Sequence, residues 1–183
     1  MRRSREEKAK SRERIVEVAA ARIREAGTDG PGVAEIMREA GMTHGGFYKH
    51  FDSRDELVAA ALEQALADGD AFVTELTADA ADPLAAFVDW YVSPEHLANP
   101  AAGCAVAGLG ADVGRGSEAL HALYRAQVER YLGRLEALLG SRARATVALA
   151  TLVGAITVAR GLGEPLLAEE ILRDVRAALK SAT

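Results

Sequence analysis

Apolar residues recur along most of the chain every three or four positions, and almost nowhere with the alternation of a half-buried strand. Clusters of β-branched and aromatic residues are sparse, and alanine is abundant. The pattern therefore predicts an all-α protein. The predicted helices cover residues 5–26, 33–40, 43–50, 54–78, 83–93, 104–114, 117–139, 142–162 and 166–180.

Residues that favour helix ends agree with these boundaries. Gly27 follows the first apolar face and is a typical C-terminal stop. Ser53 and Glu56 have the S-x-x-E spacing of a capping box, which predicts that a long helix starts there. Pro83 suits the first position of the helix that follows.

The helix predicted over residues 142–162 is apolar nearly all round, so it must be buried on more than one side. A single domain of this size rarely encloses one helix completely. We therefore expect a homodimer through residues 142–180, although a central core helix of a monomer remains an alternative. The small residues that we expect to allow close helix approach there are Ala148, Thr151, Ala155 and Ala159.

The stretch MTHGGFYKHF at residues 42–51 places two adjacent glycines in a short predicted helix, although each glycine weakens a helix by roughly 0.5–1 kcal/mol. Residues 33–50 have the order helix, glycine-containing turn, helix, which is typical of a helix-turn-helix unit. In such a unit the glycines let the backbone, Thr43 and His44 approach base edges. Tyr48, Lys49 and His50 can then reach phosphates, and any helical hairpin with a glycine turn remains the alternative.

For two histidines in this stretch, an explanation without DNA contact remains open. His44 can be an ordinary surface residue, and His50 can stabilise the C-terminal end of its own helix instead of contacting DNA.

Charge is distributed unevenly along the chain. The net charge is −5, but residues 1–54 carry twelve basic and nine acidic side chains, whereas residues 55–183 carry ten and eighteen. The basic excess is greatest in residues 1–24. This asymmetry favours a polyanionic partner for the first part of the chain, with a solvated charged helix as the simpler explanation.

Composition excludes several classes of protein. The polar N-terminus has no apolar segment of a secretory signal, and the longest uncharged run has 15 residues, whereas a membrane span needs about 20. We therefore expect a cytoplasmic protein with no membrane partner. No nucleotide loop, catalytic constellation or metal spacing is present, and His96, Cys104 and His121 match no ligand pattern. We expect no enzymatic activity, no cofactor and no metal.

Residues 14–62 resemble the DNA-binding domain of the tetracycline-repressor (TetR) family of bacterial regulators. The resemblance rests on Ala40, Gly41, Thr43, Gly45, Phe47, Tyr48, His50, Phe51, Ser53, Glu56 and Leu57. It implies a helix-turn-helix domain over residues 1–52 and a larger helical domain for effector binding and dimerisation over residues 53–183. Gly32 departs from the pattern, because the family commonly has a hydroxyl there that reaches a phosphate. The residues that the resemblance implies for DNA contact are Thr43, His44, Gly45, Gly46, Tyr48, Lys49, His50 and Arg54.

The resemblance also implies a ligand-responsive regulator, acting as a repressor, that binds palindromic operator DNA as a dimer. An unknown small apolar or amphipathic effector would release it from DNA. A DNA-binding protein of architectural type, without an effector, is the rival hypothesis. Cys104 begins an apolar segment, and both an inert buried thiol and a sensor of oxidants or electrophiles remain open. The expected residues of the effector pocket are Phe72, Phe87, Trp90, Tyr91, Leu109, Tyr124 and Val128.

Overall fold

The computed structural model describes residues 2–30 and 32–181, and no strand occurs among them. The prediction of an all-α protein is confirmed. Pro31, inside a turn predicted from glycine and proline, lies outside the described residues. The α-helices are α1 (Arg2–Ala26), α2 (Val33–Glu39), α3 (Arg54–Ala78), α4 (Pro83–Tyr91), α5 (Pro94–Ala98), α6 (Ala105–Val113), α7 (Glu118–Leu139), α8 (Arg142–Leu162) and α9 (Pro165–Ser181).

The predicted capping signals are confirmed in the described helices. The Ser53 hydroxyl accepts a hydrogen bond from the Glu56 amide at 3.1 Å at the start of α3. The Asp82 carboxylate accepts one from the Ala85 amide at 2.9 Å, with Pro83 at the first position of α4. Both caps bind amides that have no partner within the helix, so they determine where the two helices begin.

The segment predicted as an α-helix over residues 43–50 is instead a 3-10 helix over His44–Lys49, called the recognition helix below. Its bonds join residues three apart, as in Gly46 N to Thr43 O at 2.9 Å. The Thr43 hydroxyl makes no capping bond. Two glycines in a segment of six residues explain the difference, because they give little support to an α-helical ladder.

The three N-terminal helices enclose a small core that continues into the rest of the chain. Phe47 and Phe51 are buried, and their rings lie 5.6 Å apart. Ile15 of α1 and Leu57 of α3 are also buried in this core cluster. Further along α3, residues such as Val73 are buried with the C-terminal helices, so a single helix contributes to both parts of the structure.

The small-residue stripe of α8 does not have the position that we predicted. Ala148, Ala155 and Ala159 are only 4–5% exposed in the protomer, because α8 packs between α7, α9 and α6 on that side. An opposite face is uncovered, with Val147 64% and Val158 51% exposed. Any self-association surface on α8 must therefore lie on this second face, which we call the outer face of α8.

By length and composition alone, α8 is also the described helix that could cross a membrane, with a mean hydropathy of 1.7 over 18 residues. Its inner face contributes Leu152 and Ile156 to the protein core, where both are fully buried. The hydropathy of α8 is therefore explained in part by packing within this fold.

The turn after α1 is held against the end of α6. The Asp112 carboxylate accepts a hydrogen bond from the Thr28 amide at 3.0 Å and also binds Arg115 at 2.6 Å. Gly27 has a φ of +80°, and a Cβ built there would lie 2.5 Å from Asp112 Oδ2. Both the left-handed backbone and this close approach require glycine at residue 27.

We therefore expect Gly27→Ala to lower the free energy of unfolding by about 1–3 kcal/mol, because the substitution strains the backbone and displaces Asp112. Gly133→Ala is the matched control. Its Cβ would meet nothing within 4 Å inside α7, so alanine should stabilise the helix by about 0.5–1 kcal/mol. Urea unfolding followed by circular dichroism measures both changes, and equal stabilities for the two variants would contradict the argument.

Candidate DNA interface and effector cavity

The recognition helix turns one aromatic side chain inwards and one outwards. Phe47 is 2% exposed and Tyr48 is 73% exposed, although their rings touch edge to face with centroids 5.2 Å apart. Thr43, His44 and Lys49 are also exposed. Thr43, His44, Tyr48 and Lys49 are therefore accessible on one segment, and their contact with DNA stays a prediction.

The fold itself does not require the paired glycines. Neither Gly45 nor Gly46 has a positive φ. A Cβ at Gly45 would meet nothing within 4 Å, and one at Gly46 would make only ordinary contacts with Thr43 and Met37 at 3.6 and 3.7 Å. Alanine would fit at both positions and favour a helix, so the packing and backbone of the protomer do not require glycine there.

Positive charges surround His50 at the end of the recognition helix. Its Nδ1 atom is buried and has no hydrogen-bond partner among the described residues. Burial lowers the pKa of His50 below its ordinary value, and the charges of Lys8, Lys49 and Arg12 lower it further. Arg12 also lies over the Phe51 ring at 4.8 Å. Sequence analysis placed basic residues in α1 but did not indicate that two of them lie beside His50.

Arg54, a further predicted DNA contact, binds the turn between α1 and α2 in the protomer. Its guanidinium donates to the Thr28 carbonyl at 2.6 Å and lies 3.6 Å from the exposed Asp29 carboxylate. It faces α6 across a polar cleft. The phosphate contact expected of Arg54 stays a prediction.

A cavity of about 280 Å³ lies beside two of the predicted pocket residues. Phe72 and Trp90 form an aromatic wall with ring centroids 4.7 Å apart. Arg24, with its side chain 9% exposed, binds Asp68 at 3.3 Å, and both residues line the same cavity. The residues lining this cavity are Arg24, Asp68, Gly69, Phe72, Trp90, Ala102, Gly103 and Cys104.

Three of the other predicted pocket residues lie in the packed core instead. Phe87, Tyr91 and Leu109 are 0–3% exposed. The Phe87 ring contacts the rings of Tyr91 and Tyr131 at 5.5 and 6.3 Å. None of the three lines the cavity beside Phe72 and Trp90, and their role in effector binding stays a prediction.

Tyr124 and Val128 were also expected to line the pocket, and they are half-buried residues packed against the core. The Tyr124 hydroxyl donates to the Val106 carbonyl at 2.9 Å, which ties α7 to α6. A Cβ at Gly108 of α6 would face the Arg24 carbonyl of α1 at 3.7 Å. A larger residue there would disturb the packing of α6 on α1.

A buried histidine that the sequence did not single out as structural supports one side of the cavity. His96 is 3% exposed, and its Nδ1 lies 2.6 Å from the Tyr91 carbonyl. Its Nε2 accepts a hydrogen bond from the Cys104 amide at 2.9 Å, so Nδ1 carries the proton. Trp90 stacks on the ring at 4.7 Å. Burial lowers the pKa of His96 to about 4.

Cys104 is buried beside two tyrosines. Burial raises the pKa of Tyr91 and of Tyr131, and the nearby Cys104 thiol raises both further. No group of three or more metal-binding side chains occurs within the described part of the chain. His121, which the sequence grouped with His96 and Cys104, instead lies on α7 beside Glu118 at 3.5 Å.

An apolar groove of about 280 Å³ was not predicted. It lies where the start of α4 meets the end of α7, the start of α8 and the end of α9. Val147, on the outer face of α8, is one of its lining residues together with Leu84 and Leu179. The groove therefore adjoins the uncovered face of α8, and its apolar residues could not be told from core residues in the sequence.

Comparison with known proteins adds a family and a fold. Residues 15–61 match the model of the bacterial regulatory proteins of the tetR family. No curated protein sequence matches the chain. Among solved structures, a TetR transcriptional regulator from Chloroflexus aurantiacus J-10-FL is 22% identical, with a TM-score of 0.82 and 96% of each chain covered.

Two further structures have the same fold over nearly their whole length. A TetR-family regulator from Agrobacterium tumefaciens is 22% identical, with a TM-score of 0.79, and the match covers 93% of this chain and 98% of that one. The reduced form of E. coli NemR is 21% identical, with a TM-score of 0.80 and coverages of 94% and 96%.

We expect the stability of the protein to fall in acid because of His96. Its folded pKa near 4 lies below the ordinary value of 6.5, so the unfolded chain binds more protons between these values. The free energy of unfolding should then fall as the pH drops through this window, by up to about 1.4 kcal/mol per pH unit and roughly 3 kcal/mol in all.

Urea unfolding at several pH values between about 7 and 4 measures this loss. His96→Gln cannot titrate, so this part of the pH dependence should disappear, although the variant is expected to be less stable at neutral pH. His121→Gln, on the partly exposed His121 side chain, is the control and should retain the dependence. An identical acid profile for wild type and His96→Gln would refute the assignment.

Proposed function

We propose that this chain, which belongs to the tetR family of bacterial regulatory proteins, is a cytoplasmic ligand-responsive repressor that binds palindromic operator DNA as a homodimer. The observation that carries the proposal is the exposed recognition helix with two glycines that the protomer does not require. A surface shaped for close approach, next to basic residues, suits the major groove of DNA.

The DNA-binding unit would comprise residues 1–52, with Thr43 and His44 near base edges. Tyr48, Lys49 and His50 would contact phosphates, which position the protein without reading sequence. Gly45 and Gly46 would act through their missing side chains. Arg54, which binds the turn of Thr28 and Asp29 in the protomer, would add a phosphate contact.

The homodimer would form through the outer face of α8 together with α9. Val147 and Val158 are exposed there, and Gly154 lies between them on the same face. On α9, Leu166 and Leu167 are 75% and 43% exposed. Two copies of this surface would bury both sets of apolar side chains in a four-helix arrangement. The dimer would also place its two recognition helices on DNA half-sites that lie about 34–36 Å apart.

The effector would be a small apolar or amphipathic molecule bound in the cavity beside Phe72 and Trp90, which the unit of residues 53–183 forms together with Arg24 of α1. Buried apolar area would supply most of its affinity, and Arg24 and Asp68 would orient it. Two connections lead from this region to the DNA-binding unit. One is α3, and the other is the Asp112 contact from α6 to the Thr28 amide.

Ligand binding would favour a dimer whose recognition helices do not fit both half-sites. A coupling of about 3 kcal/mol would weaken DNA binding roughly 150-fold. The rival hypothesis, a DNA-binding protein of architectural type, requires neither cavity nor coupling. Enzymatic activity is not proposed, since the family consists of regulatory proteins.

We expect selection from genomic fragments to recover an inverted repeat with the purified protein. Lys49→Ala should weaken binding to all sequences and reduce the slope of log affinity against log salt by about 1. His44→Ala should change the preferred bases instead, because it lies where bases would be read. One uniform weak affinity for all fragments at moderate salt would exclude sequence-specific regulation.

Val158→Glu should convert the dimer to folded monomers, because an unpaired charge buried in an interface costs several kcal/mol. Ala155→Glu is not an equivalent test, since Ala155 lies inside the protomer and its replacement should unfold the chain. Ala126→Glu, on an exposed position of α7, is the matched control and should remain dimeric. Sedimentation equilibrium with circular dichroism measures both properties, and a monomeric wild type at micromolar concentration would rule out the dimer.

Screening small apolar compounds by thermal shift, followed by DNA release, distinguishes the regulator from the architectural protein. A ligand at a hundred times its Kd should add about 2.7 kcal/mol to stability. Ala102→Trp should narrow the cavity and abolish the response while DNA binding is retained. Asp112→Asn should preserve ligand binding but weaken the release of DNA. If Ala102→Trp leaves the response of such a ligand intact, its site is not this cavity.

A further inference from the structure

The N-terminal half of α1 extends beyond the residues that match the family model, which begins at residue 15. Residues 5–14 are helical and mostly exposed. They carry five basic and three acidic side chains, in a protein whose net charge is negative. This segment is therefore a local positive region that the family match does not explain.

Two of these basic residues lie near the end of the recognition helix. Arg12 lies over the ring of Phe51, the residue after His50, at 4.8 Å, and Lys8 is one helical turn before Arg12 on α1. The charges of both, with that of Lys49, lower the pKa of His50. On the α3 side, Glu56 lies 3.7 Å from Arg12 and accepts the Asp52 amide. The Glu56 carboxylate therefore binds both Arg12 and the backbone at the start of α3. The other acidic residue nearby is Asp52, which is exposed and lies two residues after His50. The cluster therefore consists of the three cations Lys8, Arg12 and Lys49 together with His50.

The His50 ring has one nitrogen that lacks a hydrogen-bond partner in the described part of the protomer. Its Nδ1 is buried without a donor or an acceptor in the described residues, so nothing there stabilises a protonated ring. Repulsion by Lys8, Lys49 and Arg12 acts in the same direction. An anion placed among these side chains would reverse both effects, because it would attract the proton and neutralise the repulsion.

We propose that Lys8 and Arg12 complete, with Lys49 and His50, a binding site for one phosphodiester of the DNA backbone, and that His50 takes up a proton from solvent when this site is filled. The inference rests on the proposed function, because it takes duplex DNA as the anion. It adds two residues of α1 to the interface and makes the affinity for DNA depend on pH.

The direction of the pH dependence follows from linkage. The pKa of His50 lies below its ordinary value in the free protein and rises when a phosphate binds. Between these two values the complex holds more protons than the free protein, so acidification strengthens binding. Each half-site contributes up to about a tenfold change in affinity per pH unit within that window.

Titration of the imidazole signals by NMR tests the proton directly, since the chain contains only four histidines. The probe is the whole protein, alone and with a duplex of random sequence of about 30 base pairs in low salt. We expect His50 to titrate below about 6.5 in the free protein and at least one pH unit higher in the complex. His50→Gln assigns the signal.

Two variants of α1 form a matched pair. Lys8→Gln should raise the pKa of His50 in the free protein, weaken duplex binding several-fold and reduce the salt slope by about 1. Lys10→Gln removes the same charge two residues along, on the other side of the helix, and should leave the pKa of His50 unchanged. His121→Gln, on α7 outside the proposed interface, should retain the pH dependence of binding, whereas His50→Gln should abolish it.

The results that would refute this phosphate site differ from those that would refute sequence-specific regulation. If the His50 signal does not move on adding the duplex, or if Lys8→Gln and Lys10→Gln behave alike, the phosphate site is wrong even where genomic selection finds an operator. If the random duplex moves His50 as expected but selection finds no preferred sequence, the site stands and sequence-specific regulation fails.

Discussion

The packing of α1 along α3 is the interaction on which the other parts of the structure depend. Alanines at positions 19 and 20 of α1 and at 61 of α3 are fully buried, so the two helices approach closely. At the far end Arg24 is nearly buried but binds the Ala65 carbonyl at 3.3 Å, the Asp68 carboxylate and the Ala101 carbonyl. A buried guanidinium with several acceptors is well compensated, and here it connects three segments of the chain.

This arrangement joins the proposed DNA surface to the proposed effector cavity. The start of α3 closes the core beneath Phe47 and Phe51, and its middle provides Asp68 and Phe72 to the cavity. The turn after α1 contacts α6 through Asp112. Displacement of α6 or α3 by a ligand would therefore be transmitted by packed helices and one charged contact, with no flexible linker between them.

The recognition helix shows how a locally weak element can be stable in the folded protein. A six-residue 3-10 helix with two glycines would not persist alone, since short helices are marginal in water. The stacked rings of Phe47 and Phe51 fix it to the core. The outer surface of the helix is therefore available for contact with a partner. The two glycines are tolerated because Phe47 and Phe51 supply the stability of the helix.

The sequence by itself determined the helical class, most helix boundaries, the capping box at Ser53 and the outward direction of Tyr48. Those features depend on residues close together in the chain, where spacing and backbone preferences act directly. Tertiary structure alone decided which face of α8 is buried, because small residues such as Ala155 suit a protomer core and an interface equally well. It also decided that Phe87 and Tyr91 fill the core and that His96 and Lys8 meet their partners, since helices distant in sequence bring those side chains together.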